Sequence, residues 1–523
     1  MRFAVSRQEL ELSSAQQAVG QLNASTSVDR LKQHYFEALA SLGQMVVFRP
    51  EEGSGPLNEL CAQDDVVLAS FHDPPPEGTA CRLLQHTKGA LMLSGAFLDG
   101  WTFKESTMNL VTSKRQADQL KNGLGKAAPA VGSFTPRLAT GTFRLPDLRE
   151  REAARKKQGI NDGCFHIVYA GRFISNKGIA QLVRSLQLWP MDKVRITLVG
   201  APEPDFFIYQ SNAEHATFAS FLAREVIGRA GACELVTLAP MGQRELCSLF
   251  WSVDCFAYPS FHEDENFGLA PREALLCGVP AVVTDFSGLG ALVSTRGGVV
   301  HTWPTLGGVR YSLRQLGQAL SHLAAWTEEK RTENSRSNAE WVAAECDEGR
   351  SLQSLKTSGE QLLRLPPGVP PTGGWRSKTR VDRWAAIGPV SMREAIALAG
   401  TPIPDGLYVD GTGYPTSPWY SEPHFLAAIQ GLYTTHDAPP VARTGMSYRG
   451  FWRISLWPQE RAIVEWGFPG PRVKRLPTAQ WEALFADHHA LTHDELIIRP
   501  TRTLTVTVCQ ELLHLGYIVP DTY

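Results

Sequence analysis

The chain has 523 residues, 51 Lys and Arg against 53 Asp and Glu, a net charge of -2 and 43% hydrophobic residues, which suits about three domains, each with its own core. Such a balance excludes a general electrostatic pull toward nucleic acid, and no apolar run approaches the roughly 18 residues of a membrane span. Nine cysteines stand singly with no Cys-x-x-Cys, which excludes a disulfide framework or structural zinc of regular spacing and, with a start that reads directly into a strand, predicts a reducing, cytoplasmic setting.

Residues 1–150 alternate between the two periods. Strands are predicted at the N-terminus, 44–49, 65–72, 89–97 and 108–112, with helices near 28–42, 78–86 and 113–122, so a parallel sheet is expected. His72, at the end of the 65–72 strand, is stiffened by the prolines that follow Asp73. It is a candidate for a ligand-facing role, the alternative being a satisfied strand-end histidine. Asp73, Ser94 and Gly95 are weaker candidates for the same cleft. The stretch 148–157 mixes Arg and Lys with Glu150 and Glu152 where an interdomain linker should run. The interleaved acids favour a solvated helical face over a patch that docks on anionic lipid.

The next region carries the chemistry. Residues 165–170, Phe-His-Ile-Val-Tyr-Ala, are an apolar run of buried-strand length, followed by Gly171-Arg172-Phe-Ile-Ser-Asn-Lys177-Gly178 and an amphipathic helix from about Ile179. Strand, glycine, basic loop and helix make a phosphate cradle, in which Arg172 can fork onto a phosphate and Lys177 adds a mobile point charge. A strand is predicted at 193–200, a helix at 216–230, a strand at 235–238 and a helix at 244–252. Gly200 and the Pro240-Met241 turn end strands on one edge and are candidates to flank a base. A buried strand at 254–259 then leads into Glu265-Asn266-Phe267-Gly268-Leu269-Ala-Pro-Arg-Glu273, a helix to about 277 and a Gly278-Val-Pro280 turn into a further strand. Phe267–Leu269 can expose backbone N–H groups at a helix N-terminus, an anion site, placed at a carboxyl edge where open α/β sheets bind ligands.

Together these two motifs, about 90 residues apart, resemble the donor half of retaining GT-B glycosyltransferases of family four (glycosyl transferases group 1). The resemblance covers residues 155–325 strongly, 1–150 in outline, and not the last 150. It implies two Rossmann-like doubly wound domains facing across a cleft, 1–150 for the acceptor and 155–330 for the donor. It also implies a nucleoside diphosphate sugar as donor substrate and no obligatory metal or other cofactor. Gly171, Arg172 and Lys177 would meet the pyrophosphate, Glu273 the ribose hydroxyls and Glu265 the transferred sugar. The amides of Phe267, Gly268 and Leu269, beside Asn266, would cap the diphosphate or sugar. Two departures stand out. Residues 7–14 replace the glycine-rich loop that follows the first strand in many of these enzymes, and the cleft histidine of a later strand is absent, which leaves His72 as the nearest substitute.

Beyond 305, helices near 312–330 and 336–363 are expected to close the donor domain, with 331–364 as closing helices. Residues 365–375 form a Pro/Gly linker by composition. Residues 376–523 hold six of the thirteen tryptophans and seven of the twelve tyrosines and read as an aromatic-rich α+β accessory domain. A hairpin is predicted from 448–457 and 461–468, and helices near 391–399, 478–486 and 505–515. The aromatics suit sugar stacking, and equally a small core or partner interface. His488, His489 and His493 lack a further ligand of defined spacing and read as a surface cluster rather than a metal site.

The expected activity is transfer of a hexosyl unit from a nucleoside diphosphate sugar, with retention, to an unidentified acceptor: a glycan, a lipid-linked sugar, a protein or another macromolecule held by residues 376–523. The catalytic set is His72, Arg172, Lys177 and Glu265. Arg172, Lys177 and the helix amides stabilise the leaving diphosphate, and its oxygen takes the acceptor proton, as the resemblance implies. Paired carboxylates also fit a glycosidase, which has no need of the cationic loop. A phosphorolytic or epimerising enzyme would use a similar cleft. The neutral charge makes DNA the weaker acceptor, and membrane contact is at most peripheral. The non-enzymatic alternative is a catalytically degenerate nucleotide-sugar-binding scaffold or sensor with a partner-binding C-terminal module.

Overall fold

The computed structural model describes residues 2–6, 27–48, 66–71, 90–93, 107–114, 116–118, 130–138, 140–161, 163–173, 177–186, 193–200, 233–260, 265, 267–294, 297–305, 308–365, 408–409, 415–416, 441–450, 454–457, 461–465, 472–485, 497–498 and 503–520. Two six-stranded parallel sheets dominate them. The first is built from β1 (Arg2–Ser6), β2 (Gln44–Phe48), β3 (Val66–Phe71), β4 (Ala90–Leu93), β5 (Thr107–Val111) and β6 (Val131–Ser133), in the order β2-β1-β3-β4-β5-β6. Five of these strands follow the expected runs; the short β6 carries too few apolar residues to stand out in sequence. Helix α1 (Ser27–Leu42) packs Leu31, Tyr35 and Leu39 against this sheet, one face at the 3.6-residue period.

The second sheet contains β7 (Phe165–Ala170), β8 (Val194–Val199), β9 (Cys233–Leu238), β10 (Cys255–Tyr258), β11 (Ala281–Thr284) and β12 (Gly298–Val300). Its order is β12-β11-β10-β7-β8-β9. Counted from β7 this is the Rossmann order 3-2-1-4-5-6, whose switch point lies between β7 and β10. β7, β10 and β11 are buried at every position, as strands covered on both faces must be. Helix α2 (Leu148–Lys157) leads into β7 behind an Asp147 cap, with Glu150 completing the capping box. The expected linker is therefore helical. Its solvated face is incomplete, because Arg151 and Arg155 fork onto Asp254 at 2.8 and 2.9 Å, and the same carboxylate accepts the His166 N–H at 2.9 Å.

Helices α3 (Ile179–Ser185), α4 (Gln243–Phe250) and α5 (Leu269–Leu276) complete the α/β alternation. Past β12, a short hairpin of β13 (Thr302–Thr305) and β14 (Gly308–Tyr311) precedes α6 (Leu313–Ala324), α7 (Glu328–Glu345) and α8 (Glu348–Leu362). The sequence expectation of two long helices is corrected to three. Thr327 and Asp347 each accept a hydrogen bond at an N-terminus and so mark starts that periodicity alone does not show. α8 does not close the second sheet's domain either. Leu355 and Leu362 belong to the apolar cluster of the first sheet, and Ser354 and Ser358 accept from Thr135 N at 3.1 Å and Ser133 N at 3.2 Å. The chain thus returns to its N-terminal unit.

In the C-terminal region, β15 (Tyr408–Val409) pairs antiparallel with β16 (Pro415–Thr416), and β18 (Ile454–Trp457), β19 (Ala462–Glu465) and β20 (Arg472–Arg475) form an antiparallel sheet. The hairpin expected from 448 is shorter than read, since β17 (Tyr448–Gly450) pairs instead with β21 (Ile497–Ile498) and β22 (Ile518–Pro520). Helices α9 (Thr478–Phe485) and α10 (Thr503–Leu515) lie where expected. Described residues of this module, Tyr448, Trp481 and Leu512 among them, join the same apolar cluster as the second sheet. Residues 366–375, the predicted helices near 78–86, 216–230 and 391–399, and His488, His489 and His493 lie outside the described residues. Among those described, no helix is long and apolar enough to cross a membrane.

Candidate functional site

The carboxyl ends of β7 and β10 meet at the switch point of the second sheet. Gly171 follows β7 and donates to Val199 O at 2.9 Å, while Gly200 follows β8 and donates to Leu238 O at 3.0 Å. A Cβ on Gly200 would stand 2.0 Å from Gly171 O, so the two glycine turns pack directly on each other. Gly178 has φ +76, and a Cβ there would stand 2.1 Å from Pro259 O. Only glycine lets the cationic loop lie this close to the end of β10.

That approach brings Lys177 onto Glu265. The two side chains, 8% and 7% exposed, form an ion pair. Ser260 Oγ donates to Glu265 Oε2 at 2.8 Å, Tyr258 OH lies 3.5 Å from Oε1, and the Glu265 carbonyl accepts from Gly288 N at 3.0 Å. The Lys177 ammonium also stands 5.5 Å from the centroid of the Tyr258 ring, which stacks on Tyr169 at 5.4 Å and 9°. Burial, and then the Glu265 charge, push the Tyr258 phenol far above its ordinary value, so it acts only as a neutral donor. Glu265 is thus a buried acid, and Lys177 is held in place rather than a mobile point charge. Arg172 remains solvent-exposed, its carbonyl accepting from Tyr169 OH at 2.8 Å.

Glu265 leads into α5, whose N-cap Gly268 is left-handed at φ 70 and ψ 65. Phe267, Gly268 and Leu269 are all buried at this helix start. One turn in, Glu273 is 1% exposed. Its Oε1 accepts from Arg30 in the first turn of α1, and its Oε2 is buried without a partner. Burial drives the Glu273 carboxyl above its ordinary range, and Arg30 opposes that shift. Arg30 was not a candidate from sequence; a lone arginine near a helix start gives no signal until the two sheets are placed. One Glu273 oxygen thus already faces the N-terminal unit.

Two further buried sites carry no signal in the sequence. Arg272 is wholly buried, its guanidinium 3.7 Å from the Phe267 ring centroid and forked onto Glu345 at 2.8 and 3.1 Å. At the ends of β11 and β12, buried Asp285 accepts from Thr302 N at 2.9 Å and pairs with exposed His301 at 2.9 Å. Neither site was marked by a motif, because each depends on residues about 16 to 73 positions apart. His72, Asp73, Ser94, Gly95 and Asn266 lie outside the described residues.

The electrostatic pattern is one ion pair at the switch point, an exposed arginine beside it and a helix N-terminus. Next to these is a buried carboxylate with one unpartnered oxygen. It can hold an anion at the cations and amides, and hydroxyl donors at the two acids.

Residues 150–300 match the family model described as "Glycosyl transferases group 1". A curated relative, D-inositol 3-phosphate glycosyltransferase of Pseudarthrobacter chlorophenolicus, is 30% identical over 185 residues, 34% of this chain and 40% of the relative. A protein of that name from Mycolicibacterium gilvum is 28% identical over 202 residues, 38% of this chain and 42% of the relative. The chain thus spans about two fifths of the length of these relatives. Among solved structures, sucrose-phosphate synthase from Thermosynechococcus elongatus aligns with TM-score 0.49 and 16% identity, covering 69% of this chain and 99% of that one. A glycosyltransferase from Rickettsia africae aligns with TM-score 0.47 and 11% identity, covering 69% and 98%.

Proposed function

We propose that this chain, whose residues 150–300 match the glycosyl transferases group 1 family model, is a retaining glycosyltransferase that moves a hexosyl unit from a nucleoside diphosphate sugar to an acceptor. The observation that carries this reading is the convergence of Lys177, Glu265 and the Gly268 helix start at the β7/β10 switch point. That is the place where doubly wound sheets bind nucleotides. Lys177 and Glu265, 88 positions apart, share one corner.

In this reading the diphosphate lies against Arg172, Lys177 and the amides of Phe267–Leu269, with Gly171 and Gly200 leaving room for it. The ribose hydroxyls donate to Glu273, beginning with the unpartnered Oε2. Glu265 accepts from the hydroxyls of the transferred sugar and in turn holds the Lys177 ammonium in place. As the glycosidic bond breaks, negative charge gathers on the diphosphate, and fixed cations and N–H groups stabilise it most in the transition state. The departing phosphate oxygen then takes the acceptor's proton on the same face, so no protein nucleophile is required. His72 remains the proposed N-terminal contact to the sugar. The curated relatives' name points to a phosphorylated polyol as one acceptor to try first, beside glycans, lipid-linked sugars and proteins.

The experiment is a panel of nucleoside diphosphate sugars offered to the purified chain, with release of free nucleoside diphosphate and anomeric configuration of the product as readouts. Release that depends on Arg172 and Glu273 supports the transferase reading. Binding without release, with or without acceptors, favours the scaffold or sensor reading, and no binding to any donor removes both.

A further inference from the structure

We propose that Arg272 is a positioning residue for the Phe267–Leu269 segment, acting through a clamp whose far end is Glu345 on α7. This rests on the donor reading above and names the device that holds that site's backbone in register. Arg272 sits between the two motif acids but is wholly buried. Its guanidinium spends its bonding capacity inward: Nε and Nη2 fork onto the Glu345 carboxylate at 2.8 and 3.1 Å, Nη1 donates to the Phe267 carbonyl, and its plane covers the Phe267 ring at 3.7 Å.

Burying a guanidinium is costly, and a hydrophobic side chain of similar volume would fill the space between α5 and α7 at least as well. What only arginine supplies is fork, single donor and flat stacking surface at once. The bond to the Phe267 carbonyl is the informative one. A peptide unit is planar and trans, so fixing this C=O toward the guanidinium fixes the Gly268 N–H in the opposite direction. Gly268 is the left-handed N-cap of α5, and its N–H is among those assigned to the donor. Glu345 is 19% exposed at its side chain and lies at the C-terminal end of α7, 73 residues from Arg272. It reaches the Phe267 carbonyl through the arginine.

The test compares the parent chain with Glu345→Ala, Glu345→Gln and Arg272→Lys, using amide hydrogen exchange of the ligand-free proteins, affinity for UDP, GDP and ADP, and thermal unfolding. The clamp requires faster exchange at Gly268 and Leu269 in Glu345→Ala, and at least a tenfold loss of affinity for whichever nucleotide the parent binds. Glu345→Gln, which keeps a neutral acceptor, should show a smaller change at the same amides and serves if the alanine variant does not fold. Arg272→Lys should not rescue, because an ammonium cannot fork and stack together. A lower unfolding temperature with unchanged exchange at 268–269 and unchanged affinity would make the pair a merely structural bridge and overturn the proposal. If the parent binds none of the three nucleotides, the donor reading fails, and the exchange result alone decides the clamp.

Discussion

Removing one partner of the Arg30–Glu273 pair should cost far more than removing both. Their side chains are 14% and 1% exposed, and the pair links the first turn of α1 to α5 of the second sheet. Arg30→Met leaves Glu273 buried with neither oxygen partnered, which corresponds to a loss of about 3–5 kcal/mol at neutral pH. In Arg30→Met/Glu273→Leu the uncompensated charge is gone, and stability should return to the parent's value or exceed it by roughly 1–4 kcal/mol. The single variant should also recover in acid. Burial raises the Glu273 carboxyl above its ordinary pKa and Arg30 counteracts this, so losing Arg30 raises it further. A carboxyl whose folded pKa lies above its unfolded one binds more protons in the native state. Stability therefore falls as pH rises from the ordinary carboxylate value through the raised one, and the deficit of Arg30→Met is largest above that window. Urea unfolding of the parent, Arg30→Met and Arg30→Met/Glu273→Leu at pH 7 and pH 5 measures this. An Arg30→Met midpoint equal to the parent's at pH 7, with no gain on acidification, would refute the buried pair.

Gly178→Ala places a Cβ at φ +76 and 2.1 Å from Pro259 O; the left-handed strain of about 1–2 kcal/mol and overpacking of about 1–3 kcal/mol should lower the urea midpoint and weaken nucleotide binding, and a neutral outcome would show that the loop does not lie against β10. Lys177→Met should cut turnover at least tenfold, or about 1.4 kcal/mol of transition-state stabilisation, in the nucleotide-release assay; normal turnover would remove Lys177 from the diphosphate. Burial brings His34 and His166 down to about 4, so the unfolded chain binds their protons first and stability should decline as pH falls from about 6.5 to 4. His34→Gln should flatten that decline in urea titrations across this range, and an unchanged slope would count against its burial. Asp254→Asn should destabilise by weakening its forks to Arg151 and Arg155 without altering nucleotide affinity, because Asp254 precedes β10, at the amino edge of the sheet.

Much of the candidate site is legible because its members are local. Gly171 to Gly178 and Glu265 to Glu273 are contiguous runs in which turn glycines, cations and acids occur at spacings set by one strand, one loop and one helix. The alternation of strands and helices, with apolar runs such as 165–170, likewise determined a parallel α/β fold. The sequence of residues also determined a near-neutral surface and scattered thiols. What it did not determine are the relations that depend on which surfaces meet. Periodicity says that a helix has an apolar face but not which sheet receives it, so the sequence points α8 to the second sheet's domain whereas Leu355 and Leu362 pack on the first. Likewise Lys177 and Arg172 look equivalent as loop cations, yet only Lys177 is drawn into the interior, because Gly178 lets its loop touch β10. Arg30, Arg272 and Glu345 carry no local signal at all. Their roles come from pairing with residues tens to hundreds of positions away, and a buried charge is tolerated only where the tertiary structure brings its partner.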